Sequence, residues 1–152
     1  MLQVNPPIRQ TKENRLAMIN FLKNGQIDFW ATDHAPHSLE EKTKGMSGIP
    51  HLDTYGSFVT CLVKEHDFIP IEIARVSSLN PGNFLNKFVA ATYGKIEVGL
   101  VASFTILGMD QEIKITKEIL KTKSGWSPFE GVTFPGRVVM TIVKGKVYEI
   151  KK

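Results

Sequence analysis

The chain has 152 residues, 42% hydrophobic and 22% charged, with 12 glycines and 8 prolines, a composition ordinary for a soluble globular protein that excludes disordered and collagen-like classes. This length supports one domain with a core and falls short of a complete α/β barrel of roughly 250 residues. The net charge of +4, from 19 basic and 15 acidic residues, is a weak bias gathered largely in Lys144, Lys146, Lys151 and Lys152; with no basic stripe interleaved with aromatics, no nucleic-acid partner is expected.

The opening Val4-Asn5-Pro6-Pro7 is extended, because each proline fixes its own φ and pushes the preceding residue out of the helical region. A helix is predicted next, with Thr11 as N-cap, an apolar stripe of Leu16, Ile19, Phe21 and Leu22, and a stop at Asn24-Gly25. "QIDFWAT" (26–32) reads as a short strand that ends where two histidines begin. Residues 38–51 show no sustained period and read as a long surface loop. Helices are predicted over about 54–66 and 70–78, with Pro70 acceptable in a first turn, followed by a turn at Asn80-Pro81-Gly82 and a short helix.

After residue 92 the pattern turns to strands: "GKIEVGLVASFTIL", "EIKI", and "GRVVMTIVKGKVYEI" broken at Lys144-Gly145. The single Cys61 lies in an apolar run and is expected to be a buried structural thiol. It permits no disulfide within the chain, which fits a reducing cytoplasm. No signal-peptide core appears, and no apolar run approaches 18 residues, so a cytoplasmic protein with no membrane partner is expected.

The chemistry concentrates in "ATDHAPH" (31–37). A carboxylate at a strand end followed by imidazoles suits a barrel active site, and Asp33 could ligate a metal or act as general base. The alternative is structural, with Asp33 capping the loop and His34 and His37 exposed. His51 and His66 carry less information, His66 being placed at a helix end and exposed. There is no GxGxxG, GxxxxGK[ST], GxSxG or CxxC, which leaves phosphate-cradling, nucleophile-elbow and thiol-redox chemistries without a foothold.

Taken in order, "VNPPIR", "ATDHAPHSLEEK", "SGIPHLDT", "NPGNFL", "GKIEVGLVASFTIL" and "SPFEGVTFPGRVVMTIVKGKVY" resemble the last third of a dihydroorotase of the amidohydrolase superfamily. The "DHAPH" form points to that family over dihydropyrimidinases and allantoinases. The resemblance implies an α/β fold: the C-terminal part of a metal-dependent hydrolase (β/α)8 barrel in residues 1–90, and strands of a small β-sandwich domain in 91–152. It also implies zinc-dependent, reversible hydrolysis of the cyclic amide of dihydroorotate to carbamoyl aspartate in pyrimidine biosynthesis. Asp33 matches the family's metal-binding, proton-shuttling aspartate. Asn5 and His37 match substrate-binding positions, and Gly48 a loop glycine that meets the pyrimidine ring.

The chain departs from the family at Ser103, where aspartate is usual, and at His51 and Asp53, where glycine and glutamate are common. Most metal ligands of that family come from segments not in this sequence, and Asp33 alone cannot hold a zinc ion. The catalytic zinc is therefore expected in the complete enzyme but not in this chain alone, which is expected to be inactive by itself and to need an N-terminal part or self-association. The alternative is a catalytically dead remnant acting as a structural or interaction partner.

Overall fold

The computed structural model describes residues 3–150, so Lys151 and Lys152 of the basic tail lie outside the described residues. Helix α1 (Lys12–Lys23) forms as its sequence predicts: the Thr11 hydroxyl accepts from Asn14 N at 3.2 Å, and Asn24 closes the last turn before left-handed Gly25. Its apolar stripe is only partly covered. Leu22 is buried and Ile19 packs against the core, whereas Leu16 and Phe21 stay exposed.

Residues 26–32 are not a strand. Ile27 and Trp30 pack against the core, but among the described residues no segment forms a ladder with this stretch, and β-propensity without a partner does not make a sheet. Just beyond it, His34 and Ile49 form a single parallel bridge. The predicted 38–51 loop is also corrected, since it contains α2 (Leu39–Thr43). Ser38 caps that helix: Glu41 N donates to its hydroxyl at 3.2 Å, and Ser38 N donates to the Glu41 carboxylate at 2.8 Å.

A 3₁₀ turn (Leu52–Thr54) leads into α3 (Tyr55–Glu65), close to the predicted helix. Then α4 (Pro70–Ala74), a π turn (Arg75–Leu79) and α5 (Asn80–Leu85) run together, so the turn predicted at Asn80-Pro81-Gly82 does not occur. Asn80 N–H reaches back to Arg75 O, and Pro81, which has no N–H to donate, follows where the π turn passes into α5. Leu22, Leu62, Phe68 and Val76 form the core between α1, α3 and this helical run, with Ile19, Ile27, Trp30, Val63 and Ile73 around it. Each fully buried side chain of this kind contributes about 1.5–3 kcal/mol.

The second half is built from short strands. Strands β1 (Phe104–Gly108), β4 (Arg137–Val143) and β5 (Lys146–Glu149) form an antiparallel sheet in the order β1-β4-β5. A separate ladder pairs β2 (Ile113–Lys114) with β3 (Thr133–Phe134). Lys144 and Gly145 both take left-handed φ, the turn the β4-β5 hairpin needs. The strand predicted from residue 94 begins only at Phe104, because left-handed Gly94 and Gly99 interrupt the preceding stretch, which gains a single backbone bond near its end, Gly145 N to Ala102 O at 2.8 Å.

Helix α3 is the element shared by both halves. It packs on β3 and β4, and a Cβ at Gly56 would collide with Val138. Beside it Val59, Ile115, Trp126 and Phe134 are buried, and Phe58 meets Phe129 and Phe134 edge to face with centroids 5.0 and 4.8 Å apart. Among the described residues no helix is long and apolar enough to cross a membrane.

Candidate active site

Asp33 takes a left-handed φ of 45°, a conformation its short polar side chain tolerates, and it is exposed at the mouth of the loop. His34 turns the other way. Its Nδ1 accepts from His51 N and from Leu52 N, both at 3.0 Å, which places the ring proton on Nε2. Together with Ala35 N donating to Ile49 O at 3.1 Å, this fastens the 33–37 loop to residues 49–52. His34 is thus half-buried and structural, not exposed.

His51, which the sequence left nearly silent, is the ring beneath this junction. It lies 5.0 Å from Phe58 and 5.3 Å from Phe129, centroid to centroid, with Nδ1 3.3 Å from Thr32 O. Its Nε2 is buried without a partner, and burial pushes its pKa below the usual imidazole value. The aromatic residues that enclose it come from distant segments, so no local signal pointed to it.

Lys42, which the sequence did not single out, fixes one of the four predicted site residues, Gly48. Its ammonium, 8% exposed, donates to Gln3 O at 3.0 Å, Met46 O at 2.7 Å and Gly48 O at 2.8 Å. Gly48 N donates to Gln3 O at 2.9 Å, and Asn5 Nδ2 to the Ser47 hydroxyl at 3.2 Å. Gly48 has φ of 124°, and a Cβ there would lie 2.5 Å from Ala35 Cβ and 3.4 Å from His37 Cδ2. Gly48 therefore faces the Ala35–His37 turn while Asn5 reaches the neighbouring Ser47, and Asp33 stands two residues from Ala35 on the same loop.

His37 is held through its backbone: Trp126 Nε1 donates to its carbonyl at 2.8 Å. Its Nδ1 is 3.8 Å from the Glu41 carboxylate, which the Ser38 backbone N–H, its hydroxyl and the nearby His37 hold below the usual range. Asp53 accepts from Lys121 N at 3.1 Å and Thr122 N at 3.0 Å, docking the connector against the loop. Ser103, the other departure from the family pattern, accepts from Lys144 N at 3.2 Å and serves the hairpin. His66 is half-buried, not exposed as predicted, and Cys61 is likewise half-buried.

A metal at Asp33 does not fit these residues alone. Among the described residues the group of three His, Cys, Asp or Glu side chains able to share an ion is Cys61, Glu65 and His66, none of them on the Asp33 loop. One exposed carboxylate does not make a zinc site.

Fold and loops together define a mixed α/β chain that presents a carboxylate and an imidazole from one buttressed turn. The chain belongs to the amidohydrolase family, whose model matches residues 7–148. It is 38% identical over 148 residues to a dihydroorotase from Clostridium botulinum, covering 95% of this chain and 35% of the relative. A dihydroorotase from Archaeoglobus fulgidus is 36% identical over 143 residues, covering 92% of this chain and 34% of the relative. The chain thus spans about a third of the length of the curated relatives it matches.

Among solved structures, an L-hydantoinase (dihydropyrimidinase) from Arthrobacter aurescens superposes with a TM-score of 0.78 at 24% identity, over 99% of this chain and 36% of that one. A D-hydantoinase from Thermus sp. gives 0.81 at 22% identity, over 99% of this chain and 35% of that one. These two show a shared fold.

Proposed function

We propose that this chain forms the substrate-facing part of a dihydroorotase-type cyclic amidohydrolase, acting on the ring amide of dihydroorotate and on the reverse closure of carbamoyl aspartate in pyrimidine synthesis. The observation that carries the reading is the position of Gly48, held by Lys42, between His37 and the Ser47 hydroxyl that Asn5 bonds, which supports their roles in binding. The identity to dihydroorotases supports the choice of substrate over that of the hydantoinases, whose likeness is one of fold.

In this reading the Asn5 amide and the His37 imidazole bind the substrate's polar edge and carboxylate. Gly48 brings its backbone against the ring, an approach a side chain would block. Asp33 moves the proton between the attacking water and the amide nitrogen, a task for a carboxylate within hydrogen-bond reach. Zinc, if it takes part, needs ligands besides Asp33. Residues 1–90 would be barrel and 91–152 sandwich, with α3 spanning the joint. Exposed apolar side chains such as Ile71 and Phe88 favour a second reading, a catalytically dead remnant acting as a structural or interaction partner.

Dihydroorotate titrated into the 15N-labelled chain is expected to shift the Gly48 and His37 amides. His37→Ala and Asn5→Ala should weaken binding by roughly tenfold each, the loss of a charged or bidentate hydrogen bond. Turnover by the isolated chain is expected to be absent. Shifts that never appear, or that survive both substitutions, would remove the site from these residues.

A further inference from the structure

We infer that the C-terminal end of α3 is a binding site for a divalent cation of the zinc class, held by the Cys61 thiolate, the Glu65 carboxylate and the His66 imidazole. One ligand atom from each lies within 4.8 Å of the others. Cys61 and Glu65 are four residues apart on one helix face. His66 would point away in a continued helix. It is instead the C-cap, with φ of −129° and ψ of 15°, and that turn swings its ring back beside the other two.

The turn is already fixed. His66 N and Phe68 N both donate to Leu62 O at 3.2 Å, and the Lys23 ammonium donates to His66 O at 3.3 Å and Asp67 O at 2.6 Å. Lys64, the nearest cation in sequence, is engaged with Asp110 at 2.6 Å. Burial and then Glu65 push the Cys61 thiol up to about 12, so its sulfur carries a proton. A metal replaces that proton: the S–H bond breaks, the sulfur lone pair binds the cation, and one proton leaves to solvent with no change of oxidation state.

Sulfur, nitrogen and one carboxylate oxygen suit zinc, cobalt or cadmium and exclude magnesium and calcium, which want oxygen alone. Tetrahedral zinc needs ligand atoms roughly 3.5 Å apart, so side-chain rotations of about an ångström close the site and leave a fourth position for water. The site is separate from the loop at Asp33. The 11 residues of α3 lie between that junction and Glu65, about 16 Å of helix. Its effect would be structural, a staple that pins the end of the helix shared by both halves.

Cobalt(II) titrated into the reduced full chain tests this. A thiolate-to-cobalt charge-transfer band with tetrahedral visible bands should saturate at about one equivalent and be displaced by zinc. Cys61→Ser should abolish the band, Glu65→Gln and His66→Gln should weaken binding by roughly tenfold or more, and Asp33→Asn should change nothing. In the unsubstituted chain, zinc should slow alkylation of Cys61 more than tenfold, a readout that does not depend on any variant folding. No band, a band unaltered by both Glu65→Gln and His66→Gln, loss of the band in Asp33→Asn, or unprotected alkylation would each overturn the site.

Discussion

At the scale of single residues, two imidazoles, His34 of the motif and the little-noticed His51, are joinery. His34 commits its Nδ1 lone pair to two backbone N–H groups, and His51 is sealed against Phe58 and Phe129 with Nε2 unpartnered. The second has a pH consequence. Above about pH 6.5 His51 is neutral folded or unfolded; below it the unfolded chain takes up a proton that the folded chain resists, because burial lowers the folded value. Stability should therefore be lost as the pH falls below about 6.5. Urea unfolding midpoints at about pH 7.5 and about pH 5 should show this drop, and it should be smaller in His51→Phe, which keeps an aromatic ring in place. An equal drop in both proteins would mean the slope belongs to other groups. Gly48 is a different case: its left-handed φ and its contact with Ala35 leave no room for a side chain, so the fold by itself demands glycine there.

Among the elements, α2 is short, but the 46–48 segment and the chain at Gln3 hang on it through Lys42. Three carbonyls share that ammonium, and removing it leaves them to find water or go unpaired. Lys42→Met should cost about 1–3 kcal/mol and speed amide exchange at Gly48 and Ala35 while leaving the α1 amides protected. Unchanged exchange at Gly48 would show that the loop is held by other means. Elements with local causes were legible in the sequence: α1 from Thr11 and its stripe, α3 from its apolar run, and the β4-β5 hairpin from Lys144-Gly145. The Ser38-x-x-Glu41 capping signal was there to be read and was lost in a stretch without periodicity. Residues 26–32 carried strand-forming side chains without a strand's neighbours, and Asn80-Pro81-Gly82 carried turn chemistry that a π turn absorbs. At the site the motif resemblance marked Asn5, His37 and Gly48, whose segments adjoin, whereas Lys42, His51 and Trp126 act through partners that no local pattern reveals.

Across the whole molecule, large apolar side chains stand in solvent: Ile71 is 70% exposed, Phe88 71%, Ile96 86% and Val98 fully so. Isolated exposed leucines and valines are common, but several such side chains on a chain this size favour association. The weight-average mass by sedimentation should rise with protein concentration, and Phe88→Ser with Ile96→Ser should reduce that rise. A monomer at every concentration would show that these surfaces are tolerated in water.

The hydrogen bond from Trp126 to His37 has a bearing on how the molecule comes together. It joins residues 89 apart, and the Asp53 contacts to Lys121 and Thr122 span 68 and 69. Closing such long loops is entropically unfavourable and slow compared with forming α1 or the hairpin. His37 therefore gains this support late: while the chain is being synthesised the loop has only its contacts with residues 49–52 until the segment around Trp126 has emerged and folded back.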